Sequence, residues 1–218
     1  MFVGHFALGL AGKRLAPALS LGTLFMAAQF LDLLWPTFLL LGMEEVQVAP
    51  GITPVTHLDF VSYPYSHSLA AALGWAVLFG GIAWWWRRRL GSSLLLGGLV
   101  LSHWLLDWAS HRPDLPLDFT SATRVGLGLW YSLPATLTVE LLLFLAGAWI
   151  YSRATLAQDR VGRYGFWGLL VFLLAAYLGA VLGPPPPSAA MLGWGGQSTW
   201  VLVLWGYWVD RHRHPLRA

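Results

Sequence analysis

The sequence predicts an all-α fold: a polytopic membrane protein of about six transmembrane helices, one domain over residues 1–218, with both termini cytoplasmic. Three observations carry this. Hydrophobic residues make up 57% of the chain and charged residues 11%, where a soluble domain has about 25% charged. The mean hydropathy is +0.61, and the apolar residues gather in runs long enough to cross a bilayer, which takes roughly 20 residues. The basic residues fall between those runs in a pattern that fits one orientation.

The first run covers about 15–42 and follows Lys13 and Arg14. An outer loop, 43–65, then holds Glu44, Glu45, Pro50, Pro54, His57 and Asp59. The second run, about 66–86, opens on Ser66-His67-Ser68, where either serine can cap the helix. It closes on Trp84-Trp85-Trp86 and Arg87-Arg88-Arg89, an interfacial aromatic belt before a cytoplasmic basic turn. The third, about 92–109, is stopped by Pro113 and Pro116, which belong to a second outer loop, 110–129. The fourth covers about 130–152, and Arg153, Arg160 and Arg163 separate it from the fifth, about 164–183. Pro184 to Pro187 form a stiff polyproline turn into the sixth, about 190–209, which Arg211, Arg213 and Arg217 follow. With those basic segments cytoplasmic, eleven of the thirteen Lys and Arg lie inside, and only Arg112 and Arg124 lie outside. Gly74, Gly80, Gly81, Gly97 and Gly98 suit close helix contact.

The sequence pI near 9.5 therefore reflects orientation, and nucleic acid is not an expected partner. There is no cysteine, which excludes disulfides, thiolate nucleophiles and cysteine-held metals. Any metal would use imidazole, carboxylate, carbonyl or water. The Met1–Leu10 stretch lacks a basic region ahead of its apolar residues, so it does not read as a secretory signal. The expected address is a bacterial inner membrane.

Ionisable residues inside or beside apolar runs are costly, about 2.5–3.5 kcal/mol on insertion scales, and usually serve function. At about 1.5 Å per residue from the cytoplasmic side, Asp32 stands roughly 26 Å up, His103 roughly 17 Å and Asp107 roughly 23 Å. His67 opens the second run on the outer side, and Glu140 lies roughly 15 Å below the outer end of the fourth. All five groups thus fall in the outer half of the membrane. His103 and Asp107, one turn apart, can both ligate a metal, or the carboxylate can hold the imidazole tautomer. His111 follows another turn on. Glu140 could be a ligand, a general acid or base, or the partner of a buried histidine. His67 and Asp32 also admit a plain reading as hydrated helix-end groups. His5 falls near the cytoplasm, away from the rest, unless Met1–Gly12 is re-entrant or the orientation is reversed. His57 and Asp59 are placed to cover the outer site, and His212 and His214 read as solvated. The last two runs hold no interior ionisable residue and read as structural.

Gly4-His5, Asp32 closing the first run, Ser66-His67-Ser68 opening the second and Ser102-His103 with Asp107 in the third resemble the bacterial membrane-bound metal-dependent hydrolases, relatives of the LexA-regulated inner-membrane protein. The resemblance covers about residues 4–111. It implies a divalent-metal site from His5, Asp32, His67, His103 and Asp107, with hydrolysis as the chemistry. The family's Asp-x-Asp appears here as Asp32 and Leu34, and its His-Arg-Gly-x-Thr-His stretch as residues 60–67, where the first His is missing. Glu140 and His111 are candidates for the lost ligands.

The leading expectation is a metal-dependent hydrolase, with zinc the first candidate ion, held by His67, His103 and Asp32 or Asp107. Glu140 or the remaining Asp, Asp107 included, would take a proton, and the substrate would be a membrane lipid or lipid-linked ester or phosphoester. The alternatives are a non-enzymatic subunit of a larger membrane complex, keeping the polar cluster as a helix-locking network, and a proton-coupled permease.

Overall fold

The computed structural model describes residues 1–120 and 122–216, so Arg217 of the basic tail lies outside the described residues. The chain is mostly helical, at 67%. Its helices are α1 (Val3–Leu15), α2 (Leu21–Ala28), α3 (Phe30–Leu40), α4 (Pro64–His67), α5 (Leu69–Arg87), α6 (Leu90–Ser110), α7 (Leu133–Ala154), α8 (Arg160–Leu182), α9 (Ala189–Gly196) and α10 (Thr199–Arg211). Three short antiparallel pairs join β1 (Glu45–Val48) to β2 (Leu58–Ser62), β3 (Leu115–Pro116) to β4 (Arg124–Val125), and β5 (Thr155–Ala157) to β6 (Arg213–Pro215).

Among the described residues, four helices, α5 to α8, are long and apolar enough to cross a membrane, and the pair α2–α3, bent by 58°, makes up to five where six were expected. The first run is broken at Gln29, ahead of Asp32, where Pro36 frees a carbonyl. The last run splits into α9 and α10 around Gln197 and Ser198, after a stretch rich in glycine, the weakest helix former but proline. Along α5, Val77, Ile82, Trp85 and Trp86 are exposed, and only Ala71, Ala72 and Ala76 are buried. A contiguous apolar face of this kind is unfavourable in water and ordinary against lipid.

Small residues set the helix contacts. A Cβ at Gly97 would stand 2.9 Å from the Ala76 carbonyl oxygen, and one at Gly80 would stand 3.1 Å from that of Ser93, so α5 and α6 meet backbone to backbone. Gly74, Gly81 and Gly98 face open space instead. Between α1 and α7, a Cβ at Gly147 would come within 2.5 Å of the Ala7 carbonyl oxygen.

The basic residues gather at one end. Lys13 is buried there, donating to the Leu19 carbonyl at 2.8 Å and to Asp210 Oδ2 at 2.7 Å, while the Tyr151 hydroxyl donates to Asp210 Oδ1 at 2.9 Å. The tail docks through β5–β6, and His212, at the surface as expected, pairs with the exposed Asp159 at 2.6 Å, while His214 is exposed. Arg112 and Arg124 sit on the β1–β2 hairpin at the opposite end, through Asp59 and the Val61 carbonyl. α1 corrects the reading of His5. This helix is too short to span, and Val3, Phe6 and Leu10 are completely buried. It starts beside Asp107 and Ser110, where the Met1 α-amino group donates to both, and it runs from there to the basic end.

Candidate metal site

His67, His103 and His111 reach one place from three different backbone settings, and in each a fixed acceptor takes the Nδ1 proton. The break after Ala28 leaves its carbonyl to accept from His103 Nδ1 at 2.8 Å. Pro64 starts the single turn of α4, which presents His67. Ser66 Oγ donates its one proton to Glu44 Oε2 at 2.7 Å, so it can only accept from His67 Nδ1, also at 2.7 Å. His111 caps the C-terminus of α6, and its Nδ1 meets Asp114 Oδ1 at 3.0 Å.

With Nδ1 protonated, each imidazole turns its Nε2 lone pair toward Asp32 or Asp107. His67 Nε2 lies 3.4 Å from Asp32 Oδ1 and 3.7 Å from Asp107 Oδ2. His103 Nε2 lies 3.7 Å and 3.2 Å from the same two atoms. His111 Nε2 is 4.0 Å from Asp107 Oδ1. Lone pairs facing carboxylate oxygens at these separations repel unless a proton or a metal ion lies between them. Tetrahedral bonds of about 2.0–2.1 Å place neighbouring ligand atoms roughly 3.3–3.4 Å apart, and the separations of His67 and His103 Nε2 from Asp32 and Asp107 run from 3.2 to 3.7 Å. The residues present therefore fit a divalent ion. Asp32, His67 and His103 form one group that could hold it, and His5, His103 and Asp107 form an overlapping one. The buried His103 Nε2 has no hydrogen-bond partner, as expected of a ligand atom awaiting its ion.

His5, expected near the other end, lies in the site. Its ring stacks on that of His103, with centroids 3.6 Å apart and planes 2° from parallel, and its Nε2 meets Asp107 Oδ1 at 3.1 Å. Glu140 also arrives, with a bond the sequence did not suggest. Its Oε2 accepts the Phe2 and Gly4 N–H groups at 2.8 and 3.2 Å, capping α1, whose N-cap residue offers no side-chain acceptor.

Outside the helices, charge is arranged to hold these groups. Burial pushes the Glu44 carboxyl above its ordinary range, opposed by the Ser66 hydroxyl and the Ser66 and Tyr65 N–H groups. Burial acts likewise on Asp114, but hydrogen bonds from His111 and Arg112 outweigh it and hold that carboxyl below the ordinary range. Ser68 caps α5 through the Ala71 N–H at 3.0 Å, leaving Ser66 to hold His67.

A cavity of about 360 Å³ opens onto Asp32, His67, Asp107, His111 and Glu140. Its other walls are mostly apolar: Trp35, Val55 and Phe60, Trp130, and the end of α8 with Pro184 and Pro186. His57 lines it as well, in keeping with a covering role, whereas Asp59 is engaged by Arg112. The fifth run, read as structural, contributes Tyr177, whose buried hydroxyl has no protein partner. Glu44, Asp114 and Tyr177 had no site role in the sequence, and Ser66 only that of a possible helix cap. Only the adjacency of Ser66 to His67 was a signal for any of them. No family model, curated protein or solved structure matches this chain.

Proposed function

We propose that the protein is an integral membrane metal-dependent hydrolase acting on a lipid or lipid-linked ester or phosphoester in the outer half of a bacterial inner membrane. One observation carries the reading. His67 and His103, each with Nδ1 on a fixed acceptor, direct Nε2 at both Asp32 and Asp107, and His111 directs its own at Asp107, beside an apolar-walled cavity lined by His67, His111 and both carboxylates. His67, His103, Asp32 and Asp107 would hold the ion, zinc first among candidates, with His111 adjoining. A divalent ion so held supplies an acidified water and polarises the scissile group. Glu140, lining the same cavity, is the carboxylate placed to accept a proton. His5 orients Asp107 from behind, and Trp35, Phe60 and the prolines exclude water and seat an acyl or isoprenoid chain.

A second reading, a non-enzymatic subunit whose polar cluster locks helices together, is favoured by the Met1 amine on Asp107 and by Glu140 capping α1. Elemental analysis of detergent-purified protein beside His103→Ala separates the two. About one equivalent of metal, lost in the variant, with release of product from a lipid ester or phosphoester, supports the hydrolase. Metal-free protein after supplementation would leave the locked cluster.

A further inference from the structure

A second cleft, of about 480 Å³, lies among α2, α3, α5, α6 and α10, away from the histidine cluster. Thr23 and Tyr207 line it, their hydroxyls 2.9 Å apart, together with Trp86 and Arg87 at the end of α5. Phe79 and Phe30, in edge contact with centroids 5.1 Å apart, line its deeper part. None of its lining residues is acidic.

Three features identify an occupant. Eight helical residues separate Phe79 from Arg87, so the cleft runs roughly 12 Å inward from the basic end, close to the hydrocarbon depth of one leaflet, about 15 Å. Arg87 ends α5, and Arg88 and Arg89 form the α5–α6 connection, concentrating positive charge where a lipid headgroup would lie. Arg88 there has φ +52°, a left-handed conformation that glycine would adopt more easily, and its guanidinium lies 5.2 Å from the Trp84 ring centroid.

We propose that this cleft binds an anionic glycerophospholipid, with its phosphate at Arg87 and the Thr23–Tyr207 hydroxyls and one acyl chain along Phe79 and Phe30. The site is independent of the metal reading and stands or falls apart from it.

Native mass spectrometry of the detergent-purified full chain tests this, with phosphatidylglycerol and phosphatidylcholine of equal chain length as probes. Wild type should retain phosphatidylglycerol selectively. Arg87→Gln should bind it about fivefold more weakly, the effect of one basic residue at a membrane surface. Ala83→Trp, which fills the cleft wall and leaves the charge, should lose both lipids. Equal retention of the two lipids by wild type, or phosphatidylglycerol binding unchanged in both variants, would overturn the proposal. Should either variant fail to fold, brominated acyl chains on wild type decide: quenching of tryptophan fluorescence that Trp86→Phe removes supports the site, and quenching that this variant leaves intact refutes it.

Discussion

Replacing Ser66 with Ala removes one hydroxyl from the site and no metal donor. In the wild type that oxygen accepts from His67 Nδ1 and donates to Glu44 Oε2, each at 2.7 Å. Without it, the buried Nδ1–H is left unpaired, at a cost of about 1–3 kcal/mol. The imidazole can avoid that cost by moving its proton to Nε2, where Asp32 Oδ1 waits at 3.4 Å, but in that tautomer Nε2 is no longer a donor to metal. Binding an ion must reverse the shift, so affinity should fall by about 5–150-fold, in line with the 10–100-fold typical of lost outer partners. The assay is competition for zinc against a chromophoric chelator in detergent. Ser68→Ala is the control. It removes the α5 cap at Ala71 N–H and should lower stability by about 1 kcal/mol while leaving affinity unchanged. If Ser66→Ala binds zinc as tightly as wild type, or both serine variants lose affinity equally, the tautomer argument fails.

Lys13→Met should strand the Asp210 charge against Tyr151 and cost about 3–5 kcal/mol of stability in detergent unfolding, with Lys13→Met/Asp210→Asn recovering much of it. Gly147→Val should push α1 off α7, since its Cβ would meet the Ala7 carbonyl oxygen at 2.5 Å. Because α1 carries His5, thermal stability and zinc binding should fall together, whereas Gly74→Ala, with nothing within 4 Å, should keep binding and gain up to about 1 kcal/mol. The Asp159 carboxyl is held below its usual range by the Gly162 N–H and by His212. Its contribution should therefore be present above the ordinary carboxylate pKa, about 3.9, and be lost as pH falls through the lowered value. Asp159→Asn should flatten that acid limb in melting curves taken from pH 6 downward, and an unchanged limb would refute the assignment.

Asp32, His67, His103 and Asp107 were legible as candidates because each is an ionisable group in or beside an apolar run, whereas the depth of roughly 26 Å for Asp32 assumed an unbroken helix where residues 16–20 are non-helical and the run bends at Gln29. His5 was misplaced because Lys13 and Arg14 read as surface markers, while Lys13 is buried on Asp210 and the helix carrying both runs through the interior. Hydropathy does not distinguish a helix inside the protein from one against lipid. The serines beside His67 are equivalent as letters. Their roles separate only through the backbone, where Ser68 at φ −70°, ψ 151° is extended and caps α5, leaving Ser66 beside the ring. Tyr177 carried no signal, because a tyrosine in an apolar run reads as interfacial.

Irregular backbone explains why the site lies where it does. At membrane depth, a helix break leaves carbonyl and N–H groups that lipid cannot satisfy, so breaks are tolerated only inside protein or along a polar cavity. Two breaks here lead to the same histidine cluster. The α2–α3 bend gives up the Ala28 carbonyl, which fixes His103. The α4–α5 break at Ser68 lets the single turn of α4 present His67 and Ser66. The N–H groups at the start of α1, buried without a local cap, are taken by Glu140. In a continuous helix the Ala28 carbonyl would be spent on the next turn, and His103 would lose the acceptor that sets its tautomer. The bent first run, which costs the fold a straight span, is thus the feature that fixes the His103 ring with Nε2 toward the two carboxylates.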